Sequence, residues 1–159
     1  MTNQFVKPYQ GNPQLGHLST PISDSALVRT FIGNLPAYRP GLAPLMRGLE
    51  IGLAHGYFLV GPEIVVGALR DYEQAPYFGG FITAVVLVLL GTTGMNVYGR
   101  VNCVSEADSA PGTDRLKTSE GWSEFAGGFF IGGMGGAYMA YLLLVHFSEV
   151  DAILRGFVN

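Results

Sequence analysis

The sequence predicts an all-α membrane protein: three transmembrane helices and an extramembrane N-terminal arm that carries a short interfacial helix. Three observations predict it. Charged residues make up only 13% of the 159 residues, where about 25% is usual for a soluble domain. Glycine is abundant, at 23 residues, and the mean hydropathy is positive, +0.31. Two stretches, Gln74 to Gly99 and Phe125 to Ser148, run 26 and 24 residues with no Asp, Glu, Lys or Arg. About 20 residues of helix cross ~30 Å of hydrocarbon. The net charge of −3 argues against a nucleic-acid partner. One cysteine, Cys103, excludes an internal disulfide and a Cys-rich metal site.

In chain order, residues 1–44 form the arm, with six of the nine prolines. They show neither a charged-then-apolar signal peptide nor an Arg/Ser-rich transit segment. Ser23 or Asp24 is the expected cap of a short helix. Its Leu27, Val28, Phe31 and Ile32 share one face, and Gly33-Asn34 ends it. An apolar face of this kind suits a membrane surface or a partner subunit; an irregular tail is the competing reading. His17 in this arm is read as solvated.

Residues 45–159 form the three-span domain, with spans expected at about 46–70, 76–100 and 121–147. The first is the least obvious, because Glu50, His55 and Glu63 lie within it and Pro62 interrupts it. Apolar runs on both sides of Pro62 argue for one bent span.

The basic residues set the orientation. Lys7, Arg29, Arg39, Arg47, Arg100, Arg115 and Lys117 share one side, and only Arg70 and Arg155 fall on the other. The positive-inside rule puts the N-terminus and the 100–120 loop on the cytoplasmic (stromal) side and the C-terminus on the opposite, lumenal one. Glu63, Asp71, Glu73, Glu149 and Asp151 collect on that far side.

Glu50 and His55 are the residues that could carry chemistry, since ionisable groups inside a span are costly. Arg47 sits one turn before Glu50 and could neutralise it. An Arg47–Glu50 ion pair with an interhelix hydrogen bond from His55 is the plain structural alternative. A bis-histidine haem is disfavoured, because His55 and His146 differ in depth by on the order of 20 Å. The magnesium of a chlorophyll needs a single axial donor and accepts oxygen readily. Scattered Glu, Asn and His side chains fit that requirement better.

Gly48, Gly52 and Gly56 recur every four residues, as do Gly128, Gly132 and Gly136. Such strips let helices, or flat macrocycles, approach closely. The pattern alone does not say which. Phe129, Phe130, Tyr138 and Tyr141 flank the second strip and read as lipid-facing or interfacial.

These segments carry a resemblance. Ser19-Thr20-Pro21-Ile22-Ser23, Asn34-Leu35-Pro36-Ala37-Tyr38-Arg39, Pro44 to Gly52 and Ala54 to Pro62 closely resemble the L subunit (subunit XI) family of photosystem I. Thr118-Ser119-Glu120-Gly121-Trp122, followed by Gly128-Phe129-Phe130, is similar to that family's last span. The resemblance implies a structural, non-enzymatic thylakoid subunit that binds chlorophyll and β-carotene at the contact between photosystem monomers. It would support oligomer assembly and antenna energy transfer. It implies partners in the large core subunits, small single-span subunits, L subunits of neighbouring monomers and membrane lipid. By the same resemblance Glu50 and His55 are expected axial ligands to chlorophyll magnesium, and Asn34 is a further contact. Apart from the resemblance, the far-side acidic set reads either as a solvated rim or as a place where Asp71, with Glu73, would help hold a hard cation such as Ca²⁺ where subunits meet.

The segment from Glu63 to Pro76 departs from the family pattern, on the side where such contacts would form. A second function class, a small transporter or channel component, would use Arg47, Glu50 and His55 as an ion or proton path. It would require a water-filled cavity around them.

Overall fold

The structure is a computed structural model that describes residues 7–8, 18–20, 22–73 and 75–156; His17 lies outside them. The chain divides into two units, Met1–Gly41 and Leu42–Asn159.

In the first unit, β1 (Lys7–Pro8) and β2 (Leu18–Ser19) pair antiparallel, Lys7 opposite Ser19. Helix α1 spans Ala26–Asn34. Its cap is Ser25, not Ser23 or Asp24: the Ser25 hydroxyl accepts the Val28 N–H at 3.3 Å. Ser23 is committed elsewhere, exchanging bonds with Thr20 at 2.9 and 3.0 Å. Asp24 faces Arg29 at 3.3 Å. Such local side-chain turns compete directly with capping.

The second unit holds α2 (Pro44–Val66), α3 (Pro76–Asn102), α4 (Ser119–Val145) and α5 (Phe147–Leu154). The first three are long and apolar enough to cross a membrane. At 1.5 Å per residue they measure about 34 to 40 Å. Proline opens α2 and α3, where its missing N–H costs nothing. Pro62 sits within α2 without ending it. The helix stops at Val66 rather than running to 70, because Gly67 turns to extended backbone and bonds back to the Glu63 carbonyl at 3.0 Å.

Helix α4 begins at a buried cap. The Thr118 hydroxyl donates to the Arg115 carbonyl at 2.7 Å and accepts the Gly121 N–H at 3.1 Å. The expected third span ran on to 147. Instead α4 ends at Val145, and His146, at φ −104° and ψ 27°, separates it from α5. A separate α5 was not expected from sequence.

Packing follows the glycines. A Cβ on Gly48, Gly52 or Gly56 would land on the carbonyl oxygen of Phe125, Phe129 or Gly133. One on Gly128, Gly132 or Gly136 would land on that of Leu45, Leu49 or Leu53. The numbers rise together, so α2 and α4 run parallel. On the other side, Gly133 meets Val88, Gly91 meets the Phe129 ring and Gly99 meets Trp122. These numbers run in opposite senses, so α3 is antiparallel to α4. One end of the bundle therefore gathers the close of α2, the start of α3 and the close of α4.

Lipid tails are as apolar as leucine, so close backbone contact rather than water exclusion joins these helices. Cα–H groups facing carbonyl oxygens contribute about 0.5–1 kcal/mol each. Toward the gathered end, Val60, Ala84, Ala137 and Ala140 form a small core. Tyr141 stacks on Phe81 at 5.3 Å between ring centres, and Tyr138 meets Phe81 at 6.2 Å. Tyr141 is thus packed between α3 and α4 rather than lipid-facing.

Candidate functional site

Glu50 and His55 both lie on α2, as expected, but they do not converge. Five residues separate them, so they point about 140° apart and differ in depth by about 7.5 Å.

His55 has the more telling geometry. Its Nδ1 lies 2.8 Å from the Ile51 carbonyl, one turn back. A carbonyl only accepts, so Nδ1 carries the proton. In neutral imidazole that leaves Nε2 with a bare lone pair. His55 is exposed on the outside of α2. A histidine whose second nitrogen is anchored by a backbone oxygen is oriented to ligate a metal. The Phe129 ring, 6.0 Å from the imidazole, flanks it from α4. Sequence reasoning named Phe129 only as a neighbour of the glycine strip. Its place beside His55 follows from the α2–α4 register, which one helix alone cannot reveal.

Asn34 repeats the device on α1. Its Nδ2 donates to the Thr30 carbonyl at 2.8 Å, which leaves Oδ1 as an outward acceptor on an exposed residue. Glu50 is partly buried. A carboxylate offers about four lone-pair sites, so one hydrogen bond does not exhaust it. Arg47 donates to the Leu42 carbonyl at 3.2 Å. These donors match what magnesium takes, oxygen or neutral nitrogen.

The far side looks different. Asp71 is exposed, with Arg70 at 3.6 Å. Among the described residues no group of three or more His, Cys, Asp or Glu could hold a metal ion. Glu149, on α5, is held below the ordinary carboxylate range by its own backbone N–H and by the Ser148 hydroxyl. His146 is exposed at the α4–α5 break.

The loop between α3 and α4 is clasped to α4. Glu120 accepts from the Ser105 hydroxyl at 2.9 Å and the Glu106 N–H at 2.8 Å. Arg115 bridges Glu124 at 2.6 Å and Glu106 at 3.5 Å. A pocket of about 290 Å³ lies at the α2–α3 corner, lined by none of Arg47, Glu50 and His55.

Three apolar helices, each long enough to cross a membrane and locked together by glycine, define a small multi-span membrane subunit. The model of the photosystem I reaction centre subunit XI family matches residues 5–149. The chain is 57% identical over 158 residues to photosystem I reaction center subunit XI of Synechocystis sp., covering 99% of this chain and 98% of that one. It is 55% identical to the Thermosynechococcus vestitus protein of the same name over the full length of both. The Porphyra purpurea protein is 48% identical over 143 residues, 90% of each chain. The chain belongs to the photosystem I subunit XI family, whose members are structural and not enzymes. It is a thylakoid membrane protein that associates with other photosystem I subunits.

Proposed function

We propose that this chain holds chlorophylls at the edge of photosystem I through Glu50, His55 and Asn34, each the axial ligand of one magnesium. The observation that carries this is the His55 ring: its Nδ1 is held 2.8 Å from the Ile51 carbonyl on an exposed residue of α2, which in a neutral ring leaves Nε2 as the lone-pair donor. Bound chlorophyll supplies light absorption and energy transfer. The chain supplies fixed donors, spacing and orientation, which set where each pigment sits and at what energy it absorbs. β-Carotene and lipid would fill the apolar outer faces of α3 and α4.

The same reading places the subunit at the contact between photosystem monomers, beside the large core subunits, small single-span subunits and a neighbouring copy. The N-terminus is cytoplasmic (stromal), from the seven-to-two split of basic residues. A Ca²⁺ at Asp71 would draw its other ligands from neighbouring copies and would have to displace Arg70. A transporter reading would need a water-filled cavity around Arg47, Glu50 and His55; the pocket at the α2–α3 corner is lined by none of them.

The test is His55→Ala in the assembled photosystem. Chlorophyll per reaction centre should fall by one, with the subunit still present on immunoblots. Glu50→Ala should remove a different pigment, so the double variant should lose two. An unchanged pigment count in both single variants would sink the reading.

A further inference from the structure

At the gathered end of the bundle, the corner between α2 and α3 forms a half-open cleft of about 290 Å³. Its walls are mostly apolar, among them Leu69, Phe78 and Ile82, and Gly79 and Gly80 line it as well. Two ionisable residues line the same space, Glu63 and Arg70. Glu63 is partly buried, and its carboxylate has no hydrogen bond or ion pair among the described residues. Thr83 also lines the cavity, but its hydroxyl already donates to the Gly79 carbonyl at 2.9 Å. Among the described residues Arg70 makes only long contacts, to the Val66 carbonyl at 3.4 Å and to Asp71 at 3.6 Å. A guanidinium has five N–H donors, so most of them remain to be used.

Position and charge together narrow the ligand. Glu63 lies one turn from the end of α2, and a helix of this length spanning ~30 Å of hydrocarbon would bring that turn to the headgroup boundary. The apolar walls open onto α3, whose Ile82 and Val86 are exposed. An anionic headgroup would meet Glu63 and Asp71. A cationic one would meet Arg70. A neutral polyhydroxyl headgroup satisfies both, donating hydroxyls to the carboxylate and accepting from the guanidinium, while its acyl chains follow the apolar wall. We propose that this corner is a binding site for the sugar headgroup of a neutral glycolipid, held between Glu63 and Arg70. The site uses no residue of the pigment reading and stands apart from it.

The test uses the photosystem complex extracted in polymer-bounded lipid discs, free of glycoside detergent. It is supplied with photoreactive analogues of a monogalactosyl lipid, an anionic phosphatidylglycerol and a zwitterionic phosphatidylcholine. Peptides from residues 67–83 should be labelled several-fold more by the galactosyl probe than by either phospholipid. Glu63→Leu should bring that label down to the phospholipid level, and Glu63→Gln, which still accepts hydrogen bonds, should keep most of it. Arg70→Leu should weaken it independently, so a failure of one variant to assemble leaves the other to decide. Free galactose at millimolar concentration should not compete. Equal labelling by the three probes, label unchanged in Glu63→Leu, or full competition by free sugar would overturn the proposal.

Discussion

On α4, two sets of glycines one residue out of step have opposite surroundings. Gly128, Gly132 and Gly136 are buried against the backbone of α2, where any Cβ would strike a carbonyl oxygen. Gly127 and Gly135 have nothing within 4 Å of the place a Cβ would occupy. One residue is a 100° turn of helix, and that turn separates a helix contact from an open face. The closed row has three members and a matching row, Gly48, Gly52 and Gly56, on the helix it meets. The open one has two, with Ile131 between them and exposed. A glycine row thus marks a helix contact when it is continuous and answered on another span. Abundance alone does not.

The largest effect is expected at the centre of the closed row. Gly132→Leu would force a side chain into the Leu49 carbonyl, with backbone on both sides and no flexible end to yield. Overpacking in a well-packed interior costs about 1–3 kcal/mol, and a backbone clash sits at or above the top of that range. The subunit should be absent from purified photosystem I and reduced in membranes, by immunoblot. Normal accumulation would mean that α2 and α4 are not held by this row.

The contrast also shows what was legible from sequence. Uncharged stretches marked two of the three spans, because length and charge act residue by residue, and apolar runs on both sides of Pro62 marked the first. The i, i+4 glycine rows pointed to close approach, yet both helix-on-helix and helix-on-macrocycle fitted the same spacing. Only the register of α2 against α4 assigns the rows to each other. Boundaries erred where local hydrogen bonds decided: Gly67 shortened α2, Ser25 took the cap that Ser23 spent on Thr20, and His146 broke the last helix. At the candidate site, Glu50, His55 and Asn34 were readable as residue types in expensive or exposed places. The tautomer of His55 was not, because it depends on the Ile51 carbonyl lying 2.8 Å from Nδ1. Glu63 was readable as a charge near the span end, but the cavity beside it arises from the fold of the α2–α3 corner.

A middle-sized effect belongs to the start of the closed row. Gly121 lies two turns before Gly128 on the same face, and its N–H is received by Thr118. Thr118→Ala removes that acceptor from a residue only 1% exposed. Losing an N-cap hydroxyl costs about 1 kcal/mol. Thr118→Ser keeps the hydroxyl and should restore most of it. The readout is the temperature at which the subunit dissociates from the complex in mild detergent, lower for Ala and near wild type for Ser. Equal loss in both variants would assign the effect to the methyl group and not to the cap.

The smallest effect tests the open set. Gly135→Ala adds a methyl where the chain itself offers no obstacle, and alanine favours helix over glycine by about 1 kcal/mol at an exposed interior position. Accumulation and dissociation temperature should therefore stay at or slightly above wild type, while Gly136→Ala, one residue on, should lower both. If Gly135→Ala instead matched Gly136→Ala, something outside this chain would be pressed against α4 as tightly as α2 is. A simultaneous loss of one chlorophyll would identify that occupant as a pigment, whereas loss of the subunit with pigment count per remaining complex unchanged would identify it as a neighbouring protein helix. The comparison between the two sets then reads out what the assembled photosystem places on each face.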